Sequence, residues 1–396
     1  MRPTGSVRQR ADKSFEIRYS LATDPLTGQR KRIYKTFHGT YEDAKKELRR
    51  LLRTVDTSEH VEPTKIKVGE FLTQWLETMR SQISPKTHER YTDIVNLFLI
   101  PTFGNSLLNK LMPSTIQNAY NKWENSGRRD SKKGGFAPRT RLHFHRVLKA
   151  ALKHAVQLQL ITRNPADAIK PPRAKKVAIT VLTIEQSAAL LAALLGTRLY
   201  WPVLIALTTG MRRGEIVALR WRNVDFEKKT IRVLESVEQV RQNLRFKAPK
   251  TEKTRAIILP DYALEELKVW KRKQAEELNS LGVEATEDTF VCGRSWDGGV
   301  VKPDSLTGEF RVAVRAVPKL PVVRFHDLRH SHATQLLTEG VHPKIAQERL
   351  GHSTITTTLD LYSHVTDTMQ NDAAEKLDSA FRSVIKARPK DEPQLG

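Results

Sequence analysis

The chain has 396 residues, 67 of them Lys or Arg against 44 Asp or Glu, giving a formal net charge of +23. Its single cysteine, Cys292, excludes an internal disulfide framework and a thiolate metal cage, and no apolar run approaches the roughly 18 residues that a membrane span needs. Solubility asks for a net charge of only about 2–8 on a small domain, so a surplus this large, spread along the whole length, points to a polyanion and first of all to nucleic acid. The opening MRPTGSVRQRADKSFE lacks the apolar stretch of a secretory signal, so a protein of the reducing cytoplasm is expected. The length predicts two or three domains at roughly 150 residues each.

GSVRQRA, FEIRYSLAT and KRIYKTF read as short strands, the last two joined by the turn-forming DPLTGQ. TYEDAKKELRRLLRTV follows as a helix, with Thr40 as N-cap and Asp43 three positions on. A three-stranded sheet with one helix results. Arg8, Arg10, Arg18, Lys31, Arg32 and Lys35 are expected together on its solvent face, where such a sheet can enter a major groove. After the polar DTSEHVEPTKIK, apolar residues recur at helical spacing at Val68, Phe71, Leu72, Trp75, Leu76 and Met79. Ser84 and Pro85 suit N-cap and N1 of the next helix, which puts Lys86 and Arg90 near its positive end as candidate phosphate contacts. PSTIQNAYNKWENS begins a further helix, GRRDSKKGGFAP is a basic loop, and RTRLHFHRVLKAALKHAVQLQLI reads as a long helix closing at Asn-Pro.

The basic, Pro-rich KPPRAKK marks the main boundary. The predicted domains are residues 1–58, 65–170 and 177–385, with a tail over 386–396. Helical pattern resumes at Thr183, with Gln186 in capping-box register, and two apolar helical stretches flank TTGMRRGE. KTIRVLESV and RAIILP read as strands separated by the basic RFKAPKTEKT. The fold class is therefore mainly α with small β elements: a three-stranded sheet plus helix, a helical domain, and a mixed, mostly helical C-terminal domain.

RFHDLRHSHATQLL, residues 324–337, concentrates the chemistry. Asp327 is placed as N-cap and Gly340 as C′ of one helix, so that His326 and Arg329 converge at its positive end, a ready anion site. PKIAQERL stops at Gly351, and His352 then precedes Ser353 at the start of another helix. Metal ligation by His326, His330, His332 and His352 fits poorly: Arg329 would stand inside the cluster, and no Asp, Glu or Cys joins the histidines at a recognised ligand spacing. His330 and His332 are expected to be structural. A phosphate suits the same groups, since guanidinium forks pair with phosphate oxygens and imidazole can give or take a proton. Tyr362, ten positions past His352, offers a phenol that can form a phosphoester once its proton is taken.

In this order, TTGMRRGEIVALRW, PKTEKTR, HDLRHSHATQLLTEG, LGHS and TTTLDLYSH resemble the boxes of tyrosine recombinases, the phage integrase family. The resemblance implies catalytic roles for Arg212, Lys250, His326, Arg329, His352 and the nucleophile Tyr362, with Glu215 orienting Arg212 as its partner or, equally, lying at the surface. Arg213 adjoins Arg212, and Lys247 and Lys253 flank Lys250; spacing favours Arg212 and Lys250 in each case. The implied N-terminal domain binds arm-type DNA sites, the helical domain is core-binding and SAM-like, and the partner is double-stranded DNA clamped by a homotetramer. Accessory partners of the kind implied are a DNA-bending host factor and an excisionase. No metal, nucleotide or other cofactor is implied, and no membrane. The segment after Tyr362 has amphipathic spacing for docking on a neighbouring protomer or on its own domain. Three other functions are carried forward: a DNA-binding regulator without chemistry, a type IB topoisomerase-like strand transferase, and a metal-dependent nuclease.

Overall fold

Alternation of apolar and basic residues builds the first sheet, in which β1 (Gly5–Ala11), β2 (Ser14–Thr23) and β3 (Arg30–His38) run antiparallel in the order β1-β2-β3. Phe15, Ile17 and Tyr19 of β2 point to one side and are covered by α1 (Tyr41–Asp56) through Ala44, Leu48 and Leu51. Thr40 caps α1: its hydroxyl oxygen accepts from the Asp43 amide at 3.2 Å. In this computed structural model the described residues are 5–23, 30–56, 65–126, 128, 134–174, 179–248, 254–359, 374–375 and 377–382, and the chain divides into the units Met1–Lys176 and Val177–Gly396.

The rest of the first unit is helical: α2 (Val68–Met79), α3 (Pro85–Ile94), a π-helical turn over Val95–Leu99, α4 (Ile100–Phe103), α5 (Pro113–Asn125) and α6 (Pro138–Gln157). The predicted apolar face of α2 is buried at Val68, Phe71, Leu72, Trp75 and Leu76, with Met79 packed at its edge. Ser84 caps α3, accepting from the Thr87 amide at 3.3 Å, with Pro85 in its first turn. The helix expected to run to Ile161 ends at Gln157, because Gln159 takes a left-handed φ of 56° and the Leu160 amide turns back to the Ala155 carbonyl at 2.9 Å.

In the second unit, the Thr183–Gln186 capping box opens α7 (Ile184–Leu194), and α8 (Tyr200–Thr209) and α9 (Arg213–Ala218) follow. β4 (Val224–Asp225), β5 (Thr230–Val233) and β8 (Arg255–Ile258) form one antiparallel sheet, while β6 (Ser236–Val240) and β7 (Asn243–Lys247) form a separate hairpin. KTIRVLESV is thus two strands in two sheets. The hairpin was not foreseen, because its turn carries Arg241 at φ 52° in place of a glycine or asparagine. α10 (Asp261–Ser280), α11 (Pro303–Ala316), α12 (Asp327–Thr338), α13 (Pro343–Leu350) and α14 (Ile355–Leu359) complete the unit. Its core joins Val203, Ile216, Ile231, Ile257, Phe310 and Leu328. Among the described residues, no helix is long and apolar enough to cross a membrane.

Two glycines place the functional side chains. Gly210 ends α8 at φ 65°, and Gly351 ends α13 at φ 67°. A Cβ on Gly210 would stand 2.5 Å from Leu350 and 2.6 Å from the His332 ring. Gly210→Ala therefore combines left-handed strain with overpacking and should destabilise the second unit by about 3 kcal/mol, read as a lower urea midpoint.

Candidate active site

α12 begins one residue earlier than expected. His326 occupies the N-cap position, and Asp327, inside the helix, holds the preceding loop by accepting from the Arg324 amide at 2.8 Å and from its guanidinium. One turn on, Arg329 is 3% exposed and donates from Nη1 to the Gly210 carbonyl at 2.6 Å and from Nη2 to the Leu350 carbonyl at 2.7 Å. Arg212, at the entrance to α9, donates from Nη2 to the next carbonyl, that of Gly351, at 2.7 Å. Consecutive carbonyls of one helix end thus hold the two guanidinia that belong to sequence positions more than a hundred residues apart. Burial first, and then the like charge of Arg212, lowers Arg329 to about 9, which leaves it a cation at neutral pH.

Glu215 is 1% exposed, so a surface role is overturned. Its Oε2 accepts from the Arg212 backbone amide at 2.9 Å, and its Oε1 from Arg212 Nη1 at 2.8 Å. Arg255 grips the same carboxylate from the far side, Nη1 to Oε1 at 3.2 Å and Nη2 to Oε2 at 2.7 Å. Desolvation pushes the Glu215 pKa up, but the hydrogen bond and charge of Arg255, with those of Arg212, outweigh it and the net shift is downward. Arg213 faces elsewhere, donating to the Pro303 carbonyl at 2.9 Å and pairing with Asp304 at 3.3 Å. This separates the two neighbouring arginines as spacing alone could not.

His352 follows Gly351 and joins its Nδ1 to the buried Thr358 hydroxyl at 2.9 Å. Desolvation, then Arg329 and Arg212, then His330 and His326, lowers it to about 3, so the ring is neutral at pH 7. His326 keeps an open face to solvent. Desolvation of the remainder of its ring, followed by His330 and Arg329, pushes its pKa down as well. Its ring meets His330 edge to face at 5.1 Å between centroids. His332 is structural, as expected: Nδ1 donates to the Leu207 carbonyl at 2.8 Å and Nε2 accepts from Arg349 Nε at 3.2 Å. Both ring nitrogens are therefore occupied, and desolvation lowers the pKa to about 4. Lys250, its alternative Lys253, and Tyr362 lie outside the described residues. Lys247 ends β7 and pairs with Glu238.

The N-terminal candidates divide between two faces. Register places Arg18 opposite Tyr34, Arg8 opposite Glu16 and Arg32 opposite Ser20 on the open face. Arg18 lies over the Tyr34 ring at 5.0 Å, while Arg10 bonds Glu16 at 2.6 Å. Lys35 pairs with Ile17, a residue of the covered face, and bonds Glu47 of α1 at 2.8 Å, so it does not share the open surface. Side chains three positions apart on a strand cannot share a face, which is why Arg32 and Lys35 separate. The Lys31 side chain lies outside the described residues. On α3, Lys86 is turned to Glu89 at 2.8 Å, while Arg90 is exposed. Desolvation first, and then the charges of Arg90, Arg146 and Arg139, lower the pKa of His143. Arg139, His143 and Arg146 were not singled out, although the i, i+4, i+7 spacing in RTRLHFHR carries them on one helix face. Arg255 and Arg349 were also missed: Arg255 closes PKTEKTR and Arg349 directly precedes LGHS, but spacing attaches no role to either.

Residues 180–369 match the model of the phage integrase family, and residues 67–124 match that of its N-terminal SAM-like domain. The chain is similar to a tyrosine recombinase XerC-like protein of Caldanaerobacter subterraneus, 27% identical over 373 residues, covering 89% of this chain and 93% of the relative. It is also similar to the ICEBs1 integrase of Bacillus subtilis, 23% identical over 376 residues, covering 94% and 99% of the two chains. In fold it resembles the Tn1549 transposon integrase in complex with a circular intermediate DNA, with a TM-score of 0.66 and 20% identity over 79% of this chain and 100% of the other. The lambda integrase tetramer bound to a Holliday junction gives a TM-score of 0.57 at 18% identity, covering 88% and 96%.

Two consequences can be measured. Glu215→Gln leaves Arg255 buried without its counter-charge and should cost about 3 kcal/mol in urea unfolding, while slowing DNA cleavage at least tenfold. His332 and His352 are neutral when folded and take up protons near pH 6.5 when unfolded. They add stability that is complete above about pH 6.5 and is lost as pH falls toward about 4 for His332 and about 3 for His352. Urea titrations between pH 7 and 5 should show a loss on the order of 1 kcal/mol per pH unit per imidazole. A midpoint that rises on acidification would contradict this.

Proposed function

This chain belongs to the phage integrase family of tyrosine recombinases, and we propose that it cuts and rejoins DNA at attachment sites, integrating and excising the phage or mobile element that carries it. The observation that carries the assignment of its centre is the pairing of Arg212 and Arg329 on the adjacent carbonyls of Gly351 and Leu350. Two cations held side by side by main-chain groups suit the two non-bridging oxygens of one phosphodiester.

In the proposed reaction the Tyr362 phenol oxygen attacks phosphorus, its bond to phosphorus forms as that of the 5′-oxygen breaks, and the chain is left joined to a 3′-phosphate. His326, neutral at physiological pH, takes the phenol proton, and Lys250 gives one to the departing 5′-oxygen. Arg212, Arg329 and His352 offset the charge that grows on the equatorial oxygens in the pentavalent transition state. Glu215 holds Arg212 in place. The 5′-hydroxyl of the partner strand reverses the step, and because the phosphotyrosine conserves the bond energy, the scheme calls on neither metal nor nucleotide.

Strand exchange between two duplexes uses four such centres, so the working form is a tetramer on DNA. We assign residues 1–58 to arm-type sites through Arg8, Arg10, Arg18 and Arg32, and residues 65–170 to the core site, with Arg90, Arg139 and Arg146 toward phosphate. Residues 177–385 form the catalytic domain and 386–396 a tail. Its place is the bacterial cytoplasm, where its substrate lies.

The test is incubation with a nicked attachment-site duplex in EDTA, followed by SDS. The wild-type chain should leave a covalent protein–DNA adduct and Tyr362→Phe none; cleavage that EDTA abolishes, without an adduct, would instead identify a metal-dependent nuclease. Because binding is dominated by phosphate contacts, its association constant should fall by roughly 10³-fold or more between 50 and 200 mM salt.

A further inference from the structure

We propose that Arg255, which the scheme above does not use, is a positioning residue that sets the pose of Arg212 through the shared carboxylate of Glu215 and the turn at Gly351. The inference rests on the recombinase function and adds to it the group that keeps one catalytic cation extended.

Arg255 is the first residue of β8, and its side chain is 10% exposed. Its donors are turned inward on three sides. Both Nη groups go to Glu215, at 3.2 and 2.7 Å, and Nε donates to the Arg349 carbonyl at 3.0 Å. It is therefore a poor candidate for touching a phosphate and a good one for shaping what does. The Gly351 turn is built around it: a Cβ on that glycine would meet three atoms of the Arg255 side chain, each at 3.2 Å. The same glycine supplies the carbonyl that holds Arg212 Nη2.

Each Glu215 oxygen accepts from both arginines. Oε1 takes Nη1 of Arg212 and of Arg255, while Oε2 takes the Arg212 amide and Arg255 Nη2. With Arg255 occupying the far side of both oxygens, Arg212 offers the carboxylate one Nη and spends the other on the Gly351 carbonyl. Remove Arg255, and each Glu215 oxygen loses one of its two donors, leaving the carboxylate with acceptor capacity that only Arg212 is near enough to take up. A guanidinium beside an unshared carboxylate favours the two-bond fork over a single bond, so Arg212 would fold back onto Glu215 and away from the phosphate. The Gly351 turn would lose its packing at the same time. The expected loss is in the chemical step, not in DNA binding, because the transition state is where Arg212 matters most.

The experiment uses the full chain, Arg255→Gln and Arg255→Lys, in single-turnover cleavage of a nicked duplex that carries the junction of the element encoding this chain. The same duplex is made with a methylphosphonate at the scissile position, which replaces one charged non-bridging oxygen by methyl and removes the demand on Arg212. For Arg255→Gln, cleavage of the phosphodiester should slow by roughly thirty-fold, while half-saturating DNA and the methylphosphonate rate stay within about two-fold of wild type. Arg255→Lys keeps the charge with fewer donors and should recover part of the loss. Equal slowing of both substrates, or an unchanged phosphodiester rate, overturns the proposal. If Arg255→Gln does not fold, Arg255→Lys decides in the same way: about five-fold selective slowing supports the proposal, and equal or absent slowing overturns it. A wild-type chain that forms no adduct removes the recombinase function together with this inference, whereas an adduct with an unchanged substrate ratio removes this inference alone.

Discussion

The second unit is organised around one buried carboxylate. Taking an ionised glutamate out of water costs several kcal/mol, and Glu215 offsets that cost only because two guanidinia and a backbone amide converge on it. Those donors come from the entrance of α9 and the first residue of β8, and Arg255 extends the link to the end of α13. Three elements distant in sequence are thereby held to one point, and the neighbouring arginine and histidine take their places from them.

The second principle of the site is the use of main-chain carbonyls as arginine holders. Gly210, Leu350 and Gly351 are helix-terminal residues whose carbonyls find no partner within an α-helix. Arg329 and Arg212 satisfy these orphan groups and are aimed by them in return. Few rotameric choices remain to be frozen when a phosphate arrives, which is the preorganisation that electrostatic catalysis requires. Left-handed glycines at both helix ends make the geometry possible, because a side chain at either would enter space already filled.

Much of this was legible in the residues and some was not. Helices with strong periodicity or a cap, such as α2, α3 and α7, announce themselves through Phe71 and Trp75, Ser84 and Pro85, or Thr183 and Gln186. The family boxes pointed to Arg212, Arg329 and His352, and to Glu215 as a partner. Spacing could not show that Glu215 is buried, because the elements packed on α9 and the Arg255 guanidinium on its carboxylate are brought there by tertiary folding. Arg255 and Arg349 were illegible for the same reason: their partners are carbonyls and a carboxylate brought in by tertiary folding, with no local signature. Lys35 follows the period-two rule: three positions from Arg32, it pairs with Ile17 on the covered side of the sheet. The β6–β7 hairpin was hidden by an arginine in a left-handed turn position.

The pairing of Arg212 with Arg329 has a thermodynamic corollary. Two like charges confined to one cleft, one of them almost wholly desolvated, work against compaction of the empty protein. A bound anion removes that internal repulsion, so occupancy and folding are linked: whatever seats a phosphate between the guanidinia also tightens the helices that carry them.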